Sequence, residues 1–110
     1  MEHRFTGPSY TIGVEEELMI VDGDTLDLAS SIEGLLEALS DVPKEGEIKS
    51  ELMESVCEIA TDPCRDTREA GSQLRALRRL AQQAAAERGL AIGSSGTHPF
   101  AMWEDQRVVA

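Results

Sequence analysis

One stretch near the amino terminus, Tyr10 to Asp22, constrains the fold most. It reads YTIGVEEELMIVD, an apolar run with three consecutive carboxylates at its centre. Because side chains alternate between the two faces of a β-strand, we predict a strand from Tyr10 to Val21 with one apolar and one acidic face. The apolar face would carry Ile12, Val14, Leu18 and Ile20, and the other face Thr11, Gly13, Glu15, Glu17 and Met19. Only Glu16 conflicts with this pattern, since it falls on the apolar face.

Glu15 and Glu17 are the first candidate metal ligands. On one face of a strand their Cα atoms would lie roughly 6.5–7 Å apart, where two like charges repel each other. A divalent cation such as Mg²⁺ turns this repulsion into attraction, because hard cations bind carboxylate oxygens together with phosphate oxygens and water. The alternative is a half-solvated or edge strand whose acidic face meets only water.

Length and charge limit the class of protein. A chain of 110 residues has room for one domain with a modest core. Its net charge of −11 argues against nucleic acid or an anionic membrane as a partner. We find no apolar stretch of about 20 residues and no signal-peptide core, and therefore expect a cytoplasmic protein without a membrane partner. The two cysteines, Cys57 and Cys64, are expected to be free thiols, with Cys57 buried.

The segment after the first strand contains turn and helix signals. Asp22-Gly23-Asp24 precedes a short apolar stretch, residues 26–29, which favours a hairpin. Ser30 and Glu33 have the spacing of a capping box, and leucines recur at helical spacing after them, so we predict a helix over 31–40. A proline and a glycine in residues 40–46 indicate an exposed loop.

The apolar stretch from Ile48 to Ala60 fits both a helix and a strand. We favour a strand from about Met53 to Thr61, because its residues include several that prefer β-structure. Glu54 and Glu58 would then share a face. Glu51 has the opposite parity to Glu58, and it can join the same site only if it precedes the strand or if a bulge intervenes.

The clearest helix signal covers residues 67–88. It opens with a capping box, Asp66 to Glu69, and its arginines are expected to be solvated. Leu90 to Gly93 then predicts a third strand, followed by small residues that let a backbone approach a ligand closely. Thr97 and His98 follow that strand. For His98, a ligand contact and a structural hydrogen bond to a neighbouring loop both stay open.

Three separated blocks resemble one family. GVEEELMIVD, IKSELMESVCEIATDPC and GSSGTHPFAMWEDQRV are similar to the amino-terminal part of the carboxylate-amine ligases, also called type 2 glutamate-cysteine ligases. The resemblance covers essentially the whole chain in order. It implies an α+β, partial glutamine-synthetase-like fold, with a mostly antiparallel sheet and helices packed on one face. Because family members are considerably longer, residues 1–110 are expected to form a single, truncated amino-terminal part of the catalytic domain.

The resemblance also implies a reaction and its site. ATP would phosphorylate the γ-carboxylate of L-glutamate, and the amine of L-cysteine would displace phosphate to give γ-glutamylcysteine, a step of glutathione or thiol biosynthesis. The implied cofactors are ATP and Mg²⁺ or Mn²⁺. The implied metal ligands are Glu15, Glu17, Glu58 and, less directly, Glu51. Thr97, His98 and Arg107 match positions near substrate or nucleotide, and no catalytic side chain is implied because the chemistry needs no protein nucleophile.

Two other functions stay open on the sequence. The chain could be part of a ligase for a different acid and amine, since no residue in these blocks selects cysteine. It could also be an inactive fragment that acts as an acidic interaction or dimerisation module. The expected partners are the small-molecule substrates, with a homo-oligomer or a separately encoded remainder of the enzyme as further possibilities.

Overall fold

The computed structural model describes residues 10–109 and shows an α+β architecture. A four-stranded, fully antiparallel sheet has the strand order β2-β3-β1-β4. The elements, in chain order, are β1 (Glu15–Asp22), α1 (Ile32–Leu39), β2 (Glu47–Ser50), β3 (Val56–Ala60), α2 (Thr67–Ala86), β4 (Leu90–Gly93) and a 3₁₀ turn (Trp103–Asp105). The predicted fold class, an antiparallel sheet with helices on one face, is confirmed.

Strand β1 is central, and it pairs with β3 along its first half and with β4 along its second half. The predicted start at Tyr10 is wrong, because regular pairing begins only at Glu15. Before that point the chain makes a single isolated bridge, between Ile12 and Cys64. The reason is that β3 ends at Ala60, and the segment after it, which includes Pro63, hydrogen-bonds to the earlier residues only at separate points, through Thr61 and Cys64.

One face of the sheet forms the core together with both helices. Alternate residues of β1 and β3 point to this face and are almost completely buried. They pack against apolar residues of α1 and α2 in one cluster, whose fully buried members are Leu18, Ile20, Ile32, Leu35, Cys57, Ile59, Leu77, Ala81 and Ala85. The predicted alternation of β1 is therefore confirmed for Leu18 and Ile20, and the opposite face of the sheet is left without a helix.

Both predicted helices are present. The Asp66 side chain accepts a hydrogen bond of 2.8 Å from the backbone N–H of Glu69, as the capping-box prediction requires. Gly89 then follows α2 with a φ of +72°, a conformation that favours glycine. The predicted capping box at Ser30 is wrong: α1 is preceded by Ser31, and the Ser31 side chain makes no capping hydrogen bond.

The middle of the chain contains one strand more than predicted. The predicted strand over 53–61 corresponds to β3, while β2 forms from residues that sequence reasoning had left outside a strand. The hairpin after β1 is reduced to a single bridge, between Val21 and Leu28. Its turn is held by Asp22, whose carboxylate accepts hydrogen bonds from the N–H groups of Asp24 and Thr25.

Glu16, the residue that conflicted with the alternation of β1, is accommodated by an ion pair. Its carboxylate receives two hydrogen bonds from the Arg78 guanidinium on α2, one of them 2.6 Å long. These hydrogen bonds, together with the charge of Arg78, outweigh the opposing effect of burial and lower the pKa of the Glu16 carboxyl below its ordinary value of 4.5. Arg78 is exposed, as predicted for the arginines of this helix, and it also pairs with an acidic residue on the helix-covered side of the sheet.

Two further expectations concern the thiols and the membrane. Cys57 and Cys64 are both free and Cys57 is buried, as predicted, and Cys64 is buried as well. Burial raises the pKa of the Cys57 thiol to about 11. Within residues 10–109, neither helix combines the length and the apolar character that crossing a membrane requires.

Candidate functional site

The face of the sheet opposite the helices, called the open face below, carries charged residues in two neighbouring rows across the strands. In one row Glu17 of β1 lies opposite Glu58 of β3, which in turn lies opposite Lys49 of β2. In the next row the corresponding residues are Glu15, Ala60 and Glu47. Directly opposite residues in antiparallel strands have Cβ atoms about 4.5–5.5 Å apart, so the register brings these carboxylates together.

Three carboxylates converge on the open face. Glu17, Glu51 and Glu58, called the acidic cluster below, each have an oxygen atom within 4.8 Å of an oxygen of the other two. Glu51 joins because it follows β2 directly and precedes β3, which is one of the two conditions under which its parity permits a place beside Glu58. The structure therefore brings together three of the four predicted metal ligands.

The fourth predicted ligand, Glu15, lies beside the acidic cluster. It is one strand repeat from Glu17 on the same face, and it is close enough to Glu58 to share a hydrogen bond when one of the two carboxyls is protonated. Glu54, predicted to share the face of Glu58, is not in this group. It precedes β3 and lines a separate hollow beside the start of α1, with Ser31 and Arg88.

Glu58 is the buried member of the acidic cluster, with only 6% of its surface exposed. Burial raises the pKa of its carboxyl above the ordinary 4.5, and the Glu15 hydrogen bond and the charges of Glu15 and Glu51 raise it further. The Lys49 charge acts in the opposite direction. A buried carboxylate among other carboxylates is costly for the fold, so its placement here calls for a positive partner.

The donor set of the acidic cluster fits a hard divalent cation. Ionised carboxylates are acceptors only, and Mg²⁺ binds oxygen ligands at about 2.0–2.1 Å. Two ligands on opposite sides of such an ion are then about 4.2 Å apart, slightly less than the 4.8 Å limit within which the three oxygens already lie. Adjacent ligands in octahedral geometry lie only about 3 Å apart, so the exposed side chains of Glu17 and Glu51 would have to turn toward Glu58 for all three to bind one cation.

A hollow of about 300 Å³ adjoins the acidic cluster on the open face. Its floor includes Met19 and Val56, which face each other across β1 and β3 and lie one strand repeat from Glu17 and Glu58. Its walls include Thr97, His98 and the largely exposed Trp103. The predicted substrate-side residues Thr97 and His98 therefore lie on the same face of the sheet as the predicted metal ligands.

His98 makes structural hydrogen bonds within this part of the molecule. Its Nδ1 accepts from the N–H groups of Phe100 and Ala101, at 3.2 and 3.1 Å. Nδ1 is therefore unprotonated, and Nε2 carries the hydrogen that is donated to the Leu26 carbonyl oxygen at 2.6 Å. One of the two alternatives for His98, a hydrogen bond to a neighbouring loop, is thus present, while its substrate contact stays a prediction.

Arg107 is exposed and belongs to a short antiparallel pairing. Its carbonyl accepts a hydrogen bond from the N–H of Glu54, and Met53 forms a bridge with Val108. The segment thus runs beside the residues that follow Glu51, and the role of the Arg107 side chain stays a prediction. Sequence reasoning missed Lys49 at the site, although its two-residue spacing from Glu47 and the β-propensity of Ile48 were signals of an acidic and basic strand face.

A comparison with protein-family models identifies a family for this chain. The model described as glutamate-cysteine ligase family 2 matches residues 11–110, which include every residue of the acidic cluster and of the hollow. The match covers well over half of the chain, and it extends continuously through all four strands and both helices. The chain therefore belongs to glutamate-cysteine ligase family 2.

Proposed function

We propose that this chain supplies the metal-binding floor of an ATP-dependent carboxylate-amine ligase that forms γ-glutamylcysteine from L-glutamate and L-cysteine through an acyl phosphate. The observation that carries the proposal is the convergence of Glu17, Glu51 and Glu58 on the open face, around a buried carboxylate. Family membership supports the reaction class. The sheet is proposed to be part of a glutamine-synthetase-like funnel, with which its antiparallel strands are compatible.

The proposed roles follow from charge. Glu17, Glu51 and Glu58 would hold Mg²⁺ or Mn²⁺, with Glu15 as a further ligand beside them. When bound, these ions would neutralise the triphosphate of ATP and the charge on the transferring phosphoryl group. The carboxylates themselves neither attack nor accept a proton, since their function is to fix the positions of the cations on a rigid sheet.

The hollow beside the acidic cluster is the proposed place for the acid or the amine. Its floor lies about one strand repeat, roughly 7 Å, from the carboxylates, so a molecule in it could extend a reacting group to the cations. Thr97 would contribute a hydroxyl for orientation. The nonpolar floor of Met19 and Val56 would exclude water, which protects an acyl phosphate from hydrolysis.

An assay of ADP release and product formation tests the proposal. The chain is incubated with ATP, Mg²⁺, L-glutamate and a panel of amines that includes L-cysteine, and the products are identified by mass spectrometry. We expect ADP release that depends on both substrates and is lost in the double variant Glu15→Gln/Glu17→Gln. The matched control is Glu33→Gln/Glu37→Gln, which removes two exposed charges from α1 and should leave turnover unchanged.

Each outcome bears on a different part of the proposal. Unchanged ADP release in the Glu15→Gln/Glu17→Gln variant would remove both residues from the site. Turnover with another amine but not with L-cysteine would refute the proposed substrate and retain the ligase. If the wild-type chain releases no ADP with any amine, residues 1–110 have no ligase activity by themselves, and the proposed metal-binding floor then depends on whether the acidic cluster binds metal. Calorimetric titration with Mn²⁺ then decides separately whether the acidic cluster binds metal.

A further inference from the structure

Lys49 is a basic residue among the carboxylates of the open face. In the part of the chain that the structure describes, it is the one basic side chain within 4.0 Å of the carboxylates of either charged row. It stands directly opposite Glu58 in the β2–β3 pairing, in the same row as Glu17. Neither the family match nor the proposed metal ligands give this residue a role.

The ammonium group lies beside the acidic cluster and not at its centre. Lys49 Nζ is 4.0 Å from Glu15 Oε1 and 3.8 Å from Glu47 Oε2, and 43% of its side chain is exposed. Both distances are longer than a hydrogen bond, so the ammonium is held by charge alone. It therefore leans toward the outer row and leaves the oxygens of the acidic cluster facing one another.

The balance of charge around this group is strongly negative. The two rows and Glu51 contribute five carboxylates, Glu15, Glu17, Glu47, Glu51 and Glu58, against the single ammonium of Lys49. A single positive charge in this setting has two effects of opposite sign. It stabilises the fold when no cation is bound, because it offsets repulsion among the carboxylates, and it opposes the binding of a divalent cation.

We propose that Lys49 is the resident counter-ion of the acidic cluster, and that it sets the affinity of the site for divalent cations by competing with them for the carboxylate charge. The proposal rests on the proposed metal-binding function. It assigns Lys49 a regulatory role in that site: the ammonium keeps the carboxylates together in the metal-free protein, and it limits binding to cations of higher charge density.

The counter-ion role predicts a combination of changes in stability and metal affinity that neither a metal ligand nor a purely structural residue would give. Removal of a metal ligand weakens metal binding, and removal of a purely structural residue lowers stability without tightening metal binding. Removal of the counter-ion should lower the stability of the metal-free protein and tighten metal binding. A unit charge a few ångströms from a divalent cation, at a partly hydrated surface, changes the affinity by about threefold to tenfold at low salt. The change should shrink near 1 M salt, where the screening length falls to about 3 Å.

The test is a calorimetric titration of the full chain with Mn²⁺ at low and at high salt, together with thermal melts without metal. The variants are Lys49→Gln, Lys49→Arg and the control Arg79→Gln, which makes the same charge change at an exposed position of α2. Lys49→Gln should bind Mn²⁺ about threefold to tenfold more tightly at low salt and melt at a lower temperature without metal. Lys49→Arg keeps the positive charge, so its Mn²⁺ affinity and its metal-free melting temperature should match those of the wild type. Arg79→Gln should change the Mn²⁺ affinity by less than about twofold, as expected for a distant, screened charge.

The results separate this proposal from the one on which it rests. If the wild-type chain binds Mn²⁺ and Lys49→Gln binds it equally or more weakly, the counter-ion role is overturned and the metal site stands. An equal tightening in Arg79→Gln would also overturn it, because the effect would then come from net charge. If the wild-type chain does not bind Mn²⁺ at all, both proposals fail.

Discussion

Replacement of Glu58 by Gln should have opposite effects on stability with and without metal. Glu58 is 6% exposed, and burial, the Glu15 carboxyl and the charge of Glu51 all raise the pKa of its carboxyl. A carboxyl whose pKa is raised by folding binds protons more tightly in the folded than in the unfolded chain. At neutral pH its ionisation therefore lowers the free energy of unfolding, and this cost disappears as the pH falls below the ordinary pKa of 4.5.

The expected magnitude follows from the contacts. Like charges directly opposite each other in a sheet cost about 0.2–1 kcal/mol, and Glu58 has Glu17 opposite it and Glu15 and Glu51 nearby. With the partial compensation by Lys49, Glu58→Gln should stabilise the metal-free protein by about 1 kcal/mol at pH 7. In a domain of this size that corresponds to a rise in melting temperature of about 5 °C.

Metal should reverse the order of the two proteins. Free Mn²⁺ at ten times its dissociation constant stabilises a protein that binds it by about 1.4 kcal/mol, or roughly 7 °C in melting temperature. The wild type should show this increase and Glu58→Gln should not, because it lacks the buried ligand. Calorimetric melts at pH 7 and pH 5, with and without Mn²⁺, measure the effect of the substitution and the effect of the metal on the melting temperature. The pH 7 difference between the metal-free proteins should shrink at pH 5.

A control on the same face distinguishes ligation from general electrostatics. Glu47→Gln removes one carboxylate of the open face that lies outside the acidic cluster, so it should retain most of the increase produced by Mn²⁺. The reasoning is refuted if Glu58→Gln melts at a lower temperature than the wild type without metal. It is equally refuted if the variant gains as much stability from Mn²⁺ as the wild type does.

Three further predictions concern the fold around the site. A double-mutant cycle with Glu16→Gln and Arg78→Gln, measured by urea titration, should give a coupling energy of about 1 kcal/mol at pH 7. The coupling energy should disappear as the pH falls through the lowered pKa of the Glu16 carboxyl, because the protonated carboxyl no longer pairs with Arg78. Gly46→Ala should destabilise the protein by roughly 2–4 kcal/mol, because the φ of Gly46 is +83° and a Cβ there would meet a backbone carbonyl of β3. The control Gly13→Ala adds a Cβ in open space and should leave the stability unchanged in the same titration. Cys57 should resist a thiol reagent at pH 8 in the native protein and react in denaturant, since burial raises its pKa to about 11; rapid labelling of the native protein would contradict its burial.

Local sequence patterns predicted much of the fold. The period of two in β1 predicted correctly that Glu15 and Glu17 face away from the apolar core formed by Leu18 and Ile20. The capping residue Asp66 and the terminal Gly89 predicted the limits of α2 within two residues. These features depend on neighbours in the chain, since alternation, capping and glycine conformation act over only a few residues.

The extent of the strands was harder to predict. A strand continues only where a partner lies beside it, so β1 begins at Glu15 because its partner β3 ends at Ala60, 45 positions later in the chain. Strand β2 was missed because it has only four residues, so the local signal from Ile48 and the alternating charges is short, and its pairing with β3 defines it. The helix predicted over 31–40 is present as α1, within one residue at each end, but without the predicted cap at Ser30.

The sequence by itself determined that carboxylates line one face of a strand, and the resemblance of three blocks to the family placed Glu51 and Glu58 among the candidate ligands. Only the tertiary structure decided that Glu51 reaches Glu58 from the end of β2, that Lys49 stands opposite Glu58, and that Glu16 is paired with Arg78. The physical reason is that cross-strand register and helix packing join residues far apart in the chain. Side-chain alternation acts locally and cannot specify which charges will meet.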